Sequence, residues 1–129
     1  MEHALPNLDD PDTYARTDPT RSYDRLLDTA GQVRAAWQIV QAWTPPALPV
    51  PPRAVIIAGM GGSAIGGDLV RALAADQATV PILVHRDYRL PAYAGAPTLI
   101  VAASYSGNTE EVLYAAEEAQ RRGTPLIAI

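Results

Sequence analysis

The chain has 129 residues, 48% of them hydrophobic, which is enough to bury a core, and no cysteine, which excludes disulfides, thiol chemistry and cysteine metal clusters. The net charge of −4 resides in the first 30 residues, whose seven acidic side chains outnumber three arginines, while the remainder is balanced. No basic stripe marks a nucleic-acid face, no apolar run approaches the ~20 residues that cross a bilayer, and the acidic N-terminus is unlike a signal peptide, so the expectation is a cytoplasmic protein with neither nucleic-acid nor membrane partner.

Residues 1–17 are polar and carry no sustained period, and read as an irregular arm. Asp18 and Pro19 suit the N-cap and first position of a helix. Within that helix Leu26, Ala30, Val33, Trp37 and Val40 recur at spacings of four and three, forming one apolar face. Gly31 weakens its middle and allows a kink or break there. The apolar face suits either a dimer seam or packing on its own domain, and the second is the expectation. Thr44 to Pro52 holds five of the twelve prolines and reads as a stiff extended connector. Residues 1–52 thus form an N-terminal arm, helix and linker, and 53–129 an α/β body.

The body alternates strand and helix. Val55-Ile-Ile57 is a continuous apolar run, as in a strand covered on both faces, and the first strand is expected over Ala54–Ala58. A helix follows over about Ser63–Ala75, with Ile65, Leu69 and Leu73 expected to face the sheet. The second strand is Val80–Val84, and a loop through Arg86-Asp-Tyr-Arg-Leu-Pro91 leads to the third, Thr98–Ala103. A helix over about Thr109–Arg122 opens with Asn108 and Glu111 spaced as a capping box and stops at Gly123. The fourth strand begins at Leu126. The order β-α-β-β-α-β specifies an open parallel sheet with flanking helices, flavodoxin-like, preceded by a helical N-terminal arm. An apolar strand at Ile129 with no helix after it reads as a sheet cut off after the fourth strand, so the chain is expected to be the N-terminal part of a longer protein.

Two turns carry the chemistry. Gly59-Met-Gly-Gly-Ser-Ala64 joins the first strand to its helix, and Ser104-Tyr-Ser-Gly-Asn-Thr109 joins the third strand to the next. Glycines let the backbone approach a ligand, and helix N-termini aim free N–H groups at an anion. Every basic residue is arginine, and the absence of lysine excludes a Walker phosphate loop or Schiff-base chemistry. The first turn also fits the dinucleotide pattern G-x-G-x-x-A. Against a dinucleotide, His85 and Arg86 follow the second strand where a ribose-binding acid belongs, and three hydroxyls crowd the second turn. Those hydroxyls suit a phosphate monoester. If the first and third strands are neighbours with helices on opposite faces, Ser63, Ser104, Ser106 and Thr109 converge on one phosphate. The bland alternative, that serines and glycines simply build turns and caps, holds for any single residue better than for both turns together. His3 and His85 do not have the spacing of a zinc site.

Gly59-Met-Gly-Gly-Ser-Ala-Ile-Gly-Gly-Asp68, Arg86-Asp-Tyr88 and Ser104-Tyr-Ser-Gly-Asn-Thr-Glu-Glu111 strongly resemble the bifunctional phosphoglucose/phosphomannose isomerases of the sugar isomerase (SIS) fold. Leu8-Asp-Asp-Pro11 and Asp18-Pro19 look similar to that family's N-terminus, so the likeness runs over nearly the whole chain. The resemblance implies two SIS units in one polypeptide, a homodimer with the site at its interface, and a metal-free, cofactor-free isomerisation. The substrates it implies are glucose 6-phosphate, mannose 6-phosphate and fructose 6-phosphate, interconverted through an enediolate. Carried over residue by residue, Gly62 and Ser63 contact the sugar phosphate, and Ser104, Ser106 and Thr109 hold its phosphate. The family's glutamate base, histidine, lysine and substrate-binding arginine have no counterpart here and are expected beyond Ile129. His85, Glu110 and Glu111 are not assigned those roles, and this chain alone is expected to be inactive. A non-catalytic SIS sugar-phosphate sensor is the alternative.

Overall fold

The computed structural model describes residues 7–48 and 50–129. Glu2 and His3 of the acidic arm, and Pro49 of the connector, lie outside the described residues. The chain divides between Pro46 and Ala47 into two compact units.

The first unit is helical and begins earlier than expected. Helix α1 (Pro11–Thr17) occupies the stretch read as irregular: Asp10 accepts from the Asp12 amide as N-cap, and Pro11 follows at the first helical position. Asp18 is therefore a C-cap and not the start of the long helix. Its carboxylate accepts from the Tyr23 amide at 2.8 Å, and the Tyr23 and Ser22 N–H groups hold it below the usual carboxylate range. Tyr14 and Tyr23 stack with ring centroids 4.3 Å apart. Helices α2 (Ser22–Leu27) and α3 (Thr29–Ala42) meet at Asp28, so the expected single helix is broken three residues before Gly31. The Asp28 carboxylate folds over Gly31, where any Cβ would collide with it. The apolar stripe of α3 is not buried: Val33, Trp37 and Val40 are all exposed.

The second unit is the sheet. Strands β1 (Ala54–Gly59), β2 (Ile82–His85), β3 (Thr98–Ala103) and β4 (Leu126–Ala128) lie in the order β2-β1-β3-β4, all parallel. Helix α4 (Gly61–Leu73) links β1 to β2, and α5 (Glu110–Arg121) links β3 to β4. Alternate strand residues point to opposite faces, and the two helices use them in turn. Ile56 packs with Ala58, Leu90, Ala94, Ile100, Ala115 and Ala119 on the α5 side, while Ile57 meets Gly67 of α4 on the other. Ile56 and Ile100 are fully buried, each stabilising the fold by roughly 1.5–3 kcal/mol. The segment after β2 is more than a surface loop, since it supplies buried Leu90 and Ala94 to this core.

Helix α4 presents a different face from the expected one. Ile65, Leu69 and Leu73 are exposed, and the buried positions are Ala64 and Gly67. A Cβ on Gly67 would stand 3.0 Å from Ile57 Cγ2. The helix lies too close to the sheet for large side chains, so small residues make the contact. Beside it Val55, Ile57, Val101, Ile129, Gly66 and Val70 line an open apolar groove of about 570 Å³.

Candidate anion-binding site

The carboxyl ends of β1 and β3 stand side by side, with Gly59 in register with Ala103. Both strands then turn into a helix, at the point of the sheet where neighbouring connections leave in opposite directions. Ligands bind at such switch points in open α/β sheets.

Among the described residues no side chain caps either helix. Met60 precedes α4 in an extended conformation and Thr109 precedes α5, and neither makes a side-chain cap bond. The first-turn N–H groups of both helices therefore remain free to meet an anion. The expected capping box of Asn108 and Glu111 is not formed, because the N-cap is Thr109. The Thr109 hydroxyl turns instead to Ser104.

Four of the five residues assigned to phosphate contact from the sequence come together. Ser104 Oγ lies 2.9 Å from Thr109 Oγ1 and 3.5 Å from Ser106 Oγ, and Ser106 Oγ is 3.4 Å from Thr109 Oγ1. Ser63 joins from the other turn, its Oγ accepting from the Tyr105 amide at 3.4 Å. Gly62 lies in the first turn of α4, exposed, with open space where a Cβ would stand. Gly107 supplies the positive φ of +67° that the second turn needs. The Ser104 amide donates to the Ile129 carbonyl at 3.0 Å, so the residue that follows β4 anchors that turn.

Hydroxyls can donate as well as accept, so a ring of three hydroxyls and two sets of free amides can surround phosphate oxygens without a cation. Arg86, following β2, donates to Asp68 of α4, which Arg71 also approaches at 3.3 Å. His85 Nε2 is buried with no partner among the described residues. Tyr105, in the middle of the second turn, is fully exposed.

Residues that motif reading missed hold the segment after β2 against α5. Arg122 donates to the Pro91, Ala94 and Leu90 carbonyls at 2.8, 3.1 and 3.2 Å, and to Glu118 at 2.7 Å. Glu118 in turn accepts from the Leu90 amide at 2.7 Å. Burial acts to raise the Glu118 pKa, but the Leu90 N–H bond and the Arg122 and Arg121 charges outweigh it and lower it. The same segment brings Tyr88 to α5, its hydroxyl donating to Glu110 Oε2 at 3.3 Å. The charges of Glu111 and Glu110 raise the phenol pKa. For Glu118 and Arg122 the i, i+4 spacing is the signal that the sequence carries.

No family model matches the chain. Curated proteins do. The chain resembles bifunctional phosphoglucose/phosphomannose isomerases. It is 53% identical over 75 residues to the one from Caldicellulosiruptor bescii, covering 58% of this chain and 22% of that protein. With that of Thermoplasma acidophilum it shares 45% over 75 residues, 58% and 23% of the two chains. With that of Pyrobaculum calidifontis it shares 42% over 80 residues, 61% and 26%. The likeness falls on the N-terminal part of each isomerase, and the chain spans about a quarter of the length of these relatives. The matched share of this chain is smaller than its motifs alone suggested. No helix among the described residues is long and apolar enough to cross a membrane.

Proposed function

We propose that this chain forms the phosphate-holding part of a sugar-phosphate isomerase of SIS type, its residues 53–129 belonging to a first SIS domain. The observation that carries the reading is the meeting of Ser104, Ser106 and Thr109 with Ser63 between two uncapped helix N-termini. Phosphate oxygens accept hydrogen bonds, and charge-assisted bonds of this kind are the strong ones. The names of the similar proteins point to phosphoglucose and phosphomannose as the sugars, and on this reading glucose 6-phosphate and mannose 6-phosphate are interconverted with fructose 6-phosphate.

In this reading the phosphate anchors the sugar while a proton moves from C2 to C1 through an enediolate. Ser63, Ser104, Ser106 and Thr109 bind the phosphate, with Gly62 giving its backbone room to approach. The groups that open the ring and move the proton come from outside this chain, in a longer homodimeric cytoplasmic protein, so the chain alone binds without turning over. Calorimetric titration with glucose 6-phosphate, glucose and NAD tests this directly. Saturable binding of the phosphorylated sugar only, with no fructose 6-phosphate formed, is expected. Binding of NAD in preference to the sugar phosphate would overturn it.

A further inference from the structure

Glu110 is the first residue of α5 and follows directly on Thr109, whose hydroxyl is 2.9 Å from that of Ser104. A carboxylate there is drawn to the same free amides and positive helix end as a phosphate. Turned inward, it would compete with the ligand for the site and repel it. Its carboxylate points elsewhere, accepting the Tyr88 hydroxyl at 3.3 Å.

Resting on the phosphate reading above, we propose that Tyr88 is a positioning residue that holds the Glu110 carboxylate off the phosphate cradle. Tyr88 is well fixed for this. Its ring meets Tyr114 edge-on, with centroids 6.1 Å apart and planes at 75°. Tyr114 lies one helical turn beyond Glu110 on the same face of α5, and Arg121 sits over it, 5.7 Å from the ring centroid. Two residues after Tyr88, the Leu90 amide is bound by Glu118 and its carbonyl by Arg122. The segment after β2 thus reaches Glu110 at the start of α5 and draws its carboxylate to Tyr88. Glu111, the other acid of that turn, raises the pKa of the same phenol, so Tyr88 stays protonated and able to donate.

Tyr88→Phe keeps the ring packing and deletes only the hydroxyl. Binding of glucose 6-phosphate to this variant is expected to weaken roughly three- to tenfold at low salt, with the loss shrinking as salt is raised. Glu110→Gln alone should bind at least as well as the unsubstituted chain, and Tyr88→Phe with Glu110→Gln should match Glu110→Gln. That rescue would not follow if Tyr88 merely stabilised the fold, and thermal unfolding of each variant checks that the fold is retained. Unchanged affinity in Tyr88→Phe, or a loss that persists with Glu110→Gln, overturns this inference alone. Failure of the unsubstituted chain to bind the sugar phosphate overturns the phosphate reading and this inference with it.

Discussion

Gly59 and Ala103 end neighbouring strands in register, and a Cβ on Gly59 would stand 3.3 Å from the Ala103 carbonyl oxygen. The same atom would lie 3.2 Å from the Ala64 amide nitrogen and 3.3 Å from the Ser63 carbonyl carbon. All three neighbours are backbone, so none can rotate away. Gly59→Ala is expected to lower stability by about 1–3 kcal/mol, as overpacking does. It should also push the two turns apart and weaken sugar-phosphate binding. Chemical denaturation and calorimetric titration of the variant check both outcomes.

Gly66 and Gly67 are adjacent in α4 and should respond in opposite senses. Around Gly66 a Cβ meets nothing within 4 Å, whereas at Gly67 it meets Ile57 at 3.0 Å and Val84 at 3.3 Å. Gly66→Ala should stabilise this chain by about 0.5–1 kcal/mol through helix propensity. Gly67→Val, which adds branched bulk against the sheet, should destabilise it by at least that much. Thermal unfolding of the pair decides the matter.

The contrast shows what sequence can and cannot convey about this fold. The third strand lies at Thr98–Ala103 as expected, because its apolar run is bounded by Pro97 and by the serine-rich turn. Within the sheet unit the order of strands and helices and the parallel sheet followed from alternation, whereas the approach of the two turns also required β1 and β3 to be neighbours. The face of α4 was misjudged because periodicity selects the largest apolar side chains, while close helix–sheet packing selects the smallest. Helix α1 escapes pattern because seven residues show too little period, although Asp10-Pro11 carries the same start signal as Asp18-Pro19. The contacts of Arg122 with carbonyls some 30 positions earlier leave no local pattern at all.

The Glu118 carboxylate should make stability depend on acid. Its pKa in the folded chain lies below the ordinary 4.5. A lowered carboxylate pKa contributes stability that is fully present above the unfolded value and is lost as pH falls through the folded one. The melting temperature should therefore drop below about pH 4.5, and Glu118→Gln should remove part of that dependence. The gap between the two proteins is expected to be widest near neutrality and to narrow in acid. Parallel pH series of melting curves would show a constant gap if Glu118 played no part.

Ser104 and Thr109 offer the sharpest test of the site, because their hydroxyls contact each other and both are only partly buried. Deleting either leaves its partner able to bond to water, so Ser104→Ala and Thr109→Ala should change stability little. With a dianion bound, each hydroxyl donates to a charged acceptor, a bond whose loss costs about 1.5–3 kcal/mol. Each single variant should therefore weaken sugar-phosphate binding by roughly one to two orders of magnitude. In a longer, active protein the same loss should appear in the Michaelis constant, since the phosphate is remote from the carbons that exchange the proton. Thr109→Ser restores a hydroxyl and should recover most of the affinity. Binding that survives both alanine changes together would mean that these two hydroxyls serve the turn and not the ligand.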